Sequence, residues 1–487
     1  MRPRRSASPG LRVPGWLLAV GLAGCVSEGP AATGLPAPQP DWPRALLAAS
    51  WLDVDAGIPL YWPLEAPSGM LVWTPRAFPG ADRQPDTWPG RRTALIRRLA
   101  GGPRVVTRRS QAERVRHLGD RDVVRILDLL PGGRPCARQV ELRAITARTL
   151  YWVDVGPVAD DPCQSGSEPV PDGLLQDWVA RIDGQDASIV GRLEATLGAV
   201  PTESDVDGDP RVHVILSSAV GSFGKDKGLE GFFWPADLAG DGEPASNRRE
   251  AVYLRAGALL EDQAEAAGVL AHELTHLLVH AGRRAKGAAV WPTWWDEGVA
   301  MWAMGRTGHG LPEGRVSVVK DVAAVLAEPA AWSLTDWAGN PRGGGYGLAY
   351  LYLEWLHERH GEPLVREVLA DPAELDVALA RALARRGSTP RRAFLELGVA
   401  LAAVGGHVRT AGLVPEPPAG LRASALFDAG GRPWFTGARA QLPGPDPGRP
   451  GVLHAMATLT GPTAWQPPVP AEVVRLDFGP VLAAAGR

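Results

Sequence analysis

Residues 261–282 read EDQAEAAGVLAHELTHLLVHAG, and no other stretch restricts the fold as tightly. The stretch is acidic at its start, where a helix macrodipole favours negative charge, apolar through its middle, and stopped by Gly282, so it predicts one long helix. His272 and His276 stand four positions apart on it. On a helix they lie one turn apart on the same face, where both imidazoles can reach a single tetrahedral zinc ion. Glu273 is rotated by about 100° from His272 at 3.6 residues per turn, so it flanks a metal rather than ligating it. The neighbours Val269, Leu270, Ala271, Leu274, Thr275, Leu277 and Leu278 are uncharged, as suits a helix buried beneath a cleft.

Two histidines and a carboxylate at this spacing arise by chance as well, so the test is a third ligand. A catalytic zinc needs three protein ligands and an open fourth position. His280 does not qualify, because positions i, i+4 and i+8 spread over about 12 Å of helix axis; a core place beside the site suits it better. The pattern HExxHxxGxxH fails too, since position 279 is Val and position 282 is Gly. Downstream, WWDEGVAMW supplies Glu297, with twenty residues between it and His276, early in a second predicted helix starting near Thr293. Gly298 and Ala300 are small enough to let the two helices approach. Asp296 could hold a ligand histidine from behind, although a solvent-exposed place beside a helix N-terminus is favoured.

HExxH on one helix with a glutamate in a W-x-x-E-G-x-A setting on the next resembles the gluzincin zinc metallopeptidases. The order SDVDGDPRVHVILSS, SNRREAVYL, LAHELTHLL, WWDEGVA and GGGYGLAYLYLEWLHERHG is similar to that of hyicolysin-like secreted peptidases, over roughly residues 174–405. The resemblance implies an α+β fold: a thermolysin-like core of a small β-sheet with an α-helical subdomain. It implies Zn2+ held by His272, His276 and Glu297, with Glu273 as general base. Gluzincins use a Tyr or His from a later helix to stabilise the oxyanion; Tyr346, following Gly343-Gly344-Gly345, is the candidate, with Tyr350 and Tyr352 as alternatives. The Gly-x-Met-Glu-Asn signature of zinc aminopeptidases is missing, which favours an endopeptidase acting on protein or peptide. The strand expected at 249–256 directly precedes the zinc helix and takes the place of the sheet's edge strand, able to bind extended substrate by β-addition. A catalytically inactive gluzincin-fold lipoprotein serving as a binding scaffold is the alternative.

The N-terminus, basic MRPRR followed by VPGWLLAVGLAGC, is expected to be a secretory signal too short to span a bilayer permanently. Leu22-Ala23-Gly24-Cys25 resembles a bacterial lipobox, with Cys25 as the lipidated residue, which places the mature protein in the bacterial envelope, the outer membrane favoured. Cys136 and Cys163, in an oxidising compartment and without CxxC spacing, are expected to pair in a disulfide worth about 3 kcal/mol. The expected organisation is a signal peptide (1–24), a Pro/Gly/Ala linker (25–45), an N-terminal β-rich region (46–170), the peptidase domain (171–405, with a first helix over 173–198) and a C-terminal β-rich module (406–487). A formal net charge of −3 gives no global attraction to nucleic acid. The arginine-heavy stretch 91–116 lacks interleaved aromatics and is read as a solvated face. Asp205, Asp207 and Asp209 suggest a calcium loop, but Pro210 stands where an EF-hand needs Gly and Leu216 where it needs Glu, so a turn before a strand is the better reading. Trp291, Trp294 and Trp295 are expected to brace the second helix. A monomer is expected.

Overall fold

The computed structural model describes residues 44–54, 60–61, 68–75, 88–100, most of 115–404, 454–459, 464–465 and 471–480. The chain begins with β1 (Arg44–Val54), β2 (Leu60–Tyr61), β3 (Ser68–Pro75) and helix α1 (Trp88–Ala100). Then come β4 (Arg121–Ile126), β5 (Cys136–Ile145), β6 (Thr149–Pro157), α2 (Asp172–Asp183), α3 (Ile189–Leu197), β7 (Val212–Ser217), β8 (Gly231–Phe233) and β9 (Ala251–Arg255). The helical half comprises α4 (Ala256–Glu261), α5 (Gln263–Ala285), α6 (Thr293–Arg306), α7 (Val316–Ala327), α8 (Tyr346–His360), α9 (Glu362–Ala370), α10 (Leu375–Ala384) and α11 (Pro390–Val404). Strands β10 (His454–Leu459), β11 (Ala464–Trp465) and β12 (Ala471–Pro480) follow. The fold is mixed α+β.

A six-stranded sheet runs in the order β4-β5-β6-β7-β9-β8. β5 runs antiparallel to β4 and β6 on either side of it, β7 and β9 continue the sheet in parallel with β6, and β8 closes the far edge antiparallel. The central strands bury both faces, as parallel strands under helices do, and their side chains alternate between two cores. On β7 and β9, Val212, Val214, Leu216, Val252 and Leu254 face the larger core shared with the helices. Ile215, Ala251 and Tyr253 join Trp152 and Phe232 in a smaller core on the other face. Among the described residues no helix is long and apolar enough to cross a membrane.

Several expectations from the sequence change here. The segment 46–170 is not wholly β-rich, since α1 lies within it. A boundary at 170/171 also divides a sheet, because β6 pairs in parallel with β7. The terminal β regions, treated separately in the sequence, share a second sheet of order β1-β12-β3-β10. Partners hundreds of residues apart, as β1 and β12 are, leave no mark in local periodicity, which explains the last of these differences. The helix expected over 173–198 is two: Gly184 ends α2, and Ser188 caps α3 by accepting the Gly191 N–H. Cys136 is buried at the start of β5, while Cys163 and Cys25 lie outside the described residues, as do the expected signal peptide and linker up to residue 43. The pairing of the two cysteines therefore stands as a proposal.

Candidate metal centre

The centre is built from two helices and a third that clamps them. α5 starts where the Asp262 carboxylate accepts the backbone N–H groups of Ala264 and Glu265 at 2.9 and 3.0 Å. It runs three residues beyond Gly282 and buries Leu270, Leu274, Leu277 and Leu278 against the core. α6 brings Glu297 alongside it. The close approach of α6 to α8 depends on Gly298: a Cβ there would stand 3.0 Å from Leu353 Cδ2 and 3.3 Å from Ala349 Cβ. A glycine is needed at Gly231 on β8 too, where a Cβ would meet Val269 Cγ1 at 2.7 Å, so the edge strand packs directly on the helix that carries the histidines.

His272, His276 and Glu297 are brought together with ligand atoms converging on one point. Glu297 Oε2 lies 3.1 Å from His272 Nε2 and 3.5 Å from His276 Nε2. Ligands about 2.0–2.1 Å from a tetrahedral zinc are separated from each other by roughly 3.3 Å, so the observed spacings match the edges of such a site. Among the described residues the buried Glu273 carboxylate has its Oε2 without a hydrogen-bond partner, and His276 meets only carboxylate oxygens, at 3.3 and 3.5 Å. Buried polar atoms are normally satisfied, and orphans of this kind clustered around three convergent donors fit a cation. The donor set of two imidazoles and a carboxylate suits zinc.

Asp296 is nearly buried, with its Oδ2 3.3 Å from His276 Nδ1. This corrects the solvent-exposed placement favoured from sequence: α1 covers the start of α6, and Asp296 keeps only 13% of its side chain exposed. A carboxylate behind a ligand histidine fixes the ring and leaves Nε2 facing inward. The solvated-face reading of the arginine-heavy stretch is corrected at Arg92, while Arg97 and Arg98 are exposed as expected and residues 101–114 lie outside the described residues. Arg92, on α1, is buried, and its Nη2 donates to Asp296 Oδ2 and to Glu297 Oε1, both at 2.6 Å. Glu297 thus spends one oxygen on Arg92 and turns the other toward the histidines. Sequence reasoning missed Arg92. The available signal was Thr93, Leu95, Ile96 and Leu99 at helical spacing around it.

The electrostatics follow from this crowding. Burial and Arg92 both push His276 down, but Asp296 and Glu297 outweigh them and bring it up to about 9. Burial would raise Glu297, yet Arg92 and then His276 hold it well below the ordinary carboxylate range. Asp296 is likewise drawn down to about 2 against its burial, by His276 and Arg92. Without a metal, Arg92 and a protonated His276 balance the two carboxylates, so a cation binding here must displace the His276 proton.

Tyr346 is the first residue of α8, its ring centroid 6.4 Å from that of His272. Burial, then Glu297, pushes its hydroxyl well above the usual range, so it stays a proton donor. Tyr350 and Tyr352 are also buried, and Tyr352 donates to the Pro390 carbonyl at 3.0 Å, away from the histidines. His280 is partly buried, its ring packed on Phe233, and desolvation pushes it down to about 3. The three tryptophans are buried, Trp295 making edge-on contacts with both others, which braces α6 as expected. The strand before α5 is not an edge. β9 lies between β7 and β8, because Gly231–Phe233 pair along its outer side. Compared with known proteins, the chain matches no family model and no curated sequence.

Proposed function

We propose that this chain is a zinc-dependent endopeptidase with a gluzincin core, exported and tethered to the bacterial envelope through a lipid on Cys25. The observation that carries the reading is the convergence of His272 Nε2, His276 Nε2 and Glu297 Oε2, at 3.1 and 3.5 Å from the glutamate oxygen, beside an unpartnered Glu273 carboxylate. Zinc, held by these three residues, would supply a water acidified to a pKa near 7 and a Lewis acid for a peptide carbonyl. Glu273 takes the proton from the attacking water and passes it to the departing amine. Asp296 fixes the His276 ring, and Arg92 fixes the Glu297 carboxylate so that one oxygen faces the histidines. Tyr346 donates a hydrogen bond to the carbonyl oxygen as it gains negative charge. β8, the edge strand packed on α5, offers its free side to an extended peptide, whose backbone pairs by strand addition. The test is hydrolysis of unfolded casein by the purified protein. Activity should vanish after chelation, return with stoichiometric zinc, and be absent from Glu273→Gln.

One observation favours the scaffold reading instead: Arg92, a protonated His276 and the two carboxylates form a network that needs no metal. Zinc bound equally by the native chain and by Glu273→Gln, with casein cleaved by neither, would favour that alternative.

A further inference from the structure

A second group of acids stands just before the parallel strands β7 and β9, at the ends where the chain enters them. Asp205, Asp207 and Glu250 bring one carboxylate oxygen each into mutual proximity within 4.8 Å. Each spends one oxygen on a backbone N–H. Asp205 Oδ1 accepts from Gly208 at 2.7 Å, Asp207 Oδ1 from Asp209 at 3.0 Å, and Glu250 Oε1 from Val206 at 2.7 Å. These bonds fold the turn onto Glu250; Asp207 Oδ2 faces His213 Nε2 at 3.1 Å, while Glu250 Oε2 is left over. Glu250 is only 3% exposed, and its Oε2 has no partner. An orphaned carboxylate oxygen in a buried place is costly unless a cation meets it.

Among the described residues no cation reaches Glu250 Oε2. Asp209 is engaged by its own neighbour Arg211 at 2.6 Å. Arg249 reaches Asp122 at 3.1 Å, and Arg116 stands 3.6 Å from Asp207 and 3.8 Å from Asp122. His213 Nε2 lies 3.1 Å from Asp207 Oδ2, while its Nδ1 accepts the Trp152 indole N–H at 3.0 Å, so the ring is neutral and turns its single proton toward Asp207. Burial, then Asp207, pushes the Glu250 carboxyl up to about 8.

We propose that Asp205, Asp207 and Glu250 bind a calcium ion that ties the turn before β7 to the residue before β9. The donor set is all oxygen, which suits a hard cation and not zinc, and calcium completes its shell with carbonyls and waters around partly exposed Asp205. EF-hand rules miss the site because the third carboxylate comes from a neighbouring strand rather than from the same loop. Its role is to staple two adjacent parallel strands, the second of which leads through α4 into the helix bearing His272 and His276. The site is independent of the zinc centre and of the peptidase reading.

Terbium stands in for calcium in the test, because Trp152 stacks on His213 at 6.0 Å between ring centroids and can sensitise its emission. The zinc-loaded full chain is titrated with Tb3+ under tryptophan excitation, then with Ca2+ and Mg2+, and thermal unfolding is followed with and without Ca2+. The expected result is one saturating site, displaced by Ca2+ at least tenfold more readily than by Mg2+, with unfolding raised by Ca2+. Both effects should weaken at least tenfold in Glu250→Gln and in Asp205→Asn. Should the buried Gln variant not fold, Asp205→Asn, at the rim of the site, decides the question alone. Unaltered terbium binding in a folded Asp205→Asn, or no response of native protein to Ca2+, overturns the proposal.

Discussion

Arg92 is the sharpest point at which to perturb the centre, because its one guanidinium serves two carboxylates, each 2.6 Å away, that are 13% and 1% exposed. At an effective dielectric of about 20, charges some 4 Å apart interact by about 4 kcal/mol, part of which offsets the desolvation of all three groups. Replacing Arg92 with Met keeps most of the apolar stem and removes the charge, leaving Asp296 and Glu297 side by side. Breaking one member out of a buried pair costs about 3–5 kcal/mol. Urea unfolding of the chelated protein should show Arg92→Met destabilised by that amount. In a background already carrying Asp296→Asn and Glu297→Gln the same change should cost at least about 2 kcal/mol less, since no buried anion is then stranded. A loss below about 1 kcal/mol in the native background, or an equal loss in both backgrounds, would refute the assignment of Arg92 as the counter-charge of this site.

Three further predictions follow from separate contacts. Gly298→Val must push its side chain into Leu353 and Ala349; it should cost about 1–3 kcal/mol and weaken zinc binding by moving the adjacent Glu297, measured by unfolding and by competition with a chromogenic chelator. Tyr346→Phe should lower kcat on a peptide substrate by roughly a hundredfold with little change in KM, since the hydroxyl acts only as charge develops. Asp237 is buried and accepts from Tyr253 and the Asn247 backbone, and burial carries it up to about 7. Its folded-state value lies above the unfolded one of about 3.9, so its contribution is fully present below pH 4 and is lost as pH rises through 7. Native stability should therefore fall relative to Asp237→Asn across that window by on the order of 4 kcal/mol; a flat difference would contradict it.

The parts of the site read from sequence are those whose information is local. His272, Glu273 and His276 share one helix whose periodicity fixes their relative angles, and Glu297 sits at a set distance along the next. Tyr346 at the head of α8 was legible because a glycine run marks where that helix starts. What escaped depends on pairing at long range. Arg92 meets Glu297 across 205 positions, and its charge made α1 look like a solvated face when the helix in fact covers a buried carboxylate. Glu250 completes an acidic turn that a loop-based rule rejects, because its neighbour relation comes from parallel pairing of β7 and β9. The edge of the sheet went to three residues, Gly231–Phe233, too short to register as a strand without β9 beside it. The four-stranded sheet likewise draws its strands from both ends of the chain.

The central claim is that His272, His276 and Glu297 hold one zinc ion whose water Glu273 activates. Elemental analysis of the purified protein, paired with casein cleavage for the native chain and for Glu273→Gln, addresses it most directly. The account predicts one zinc per chain in both proteins and proteolysis only in the native one. Zinc in neither would contradict the metal centre itself, and equal proteolysis in both would contradict the role given to Glu273.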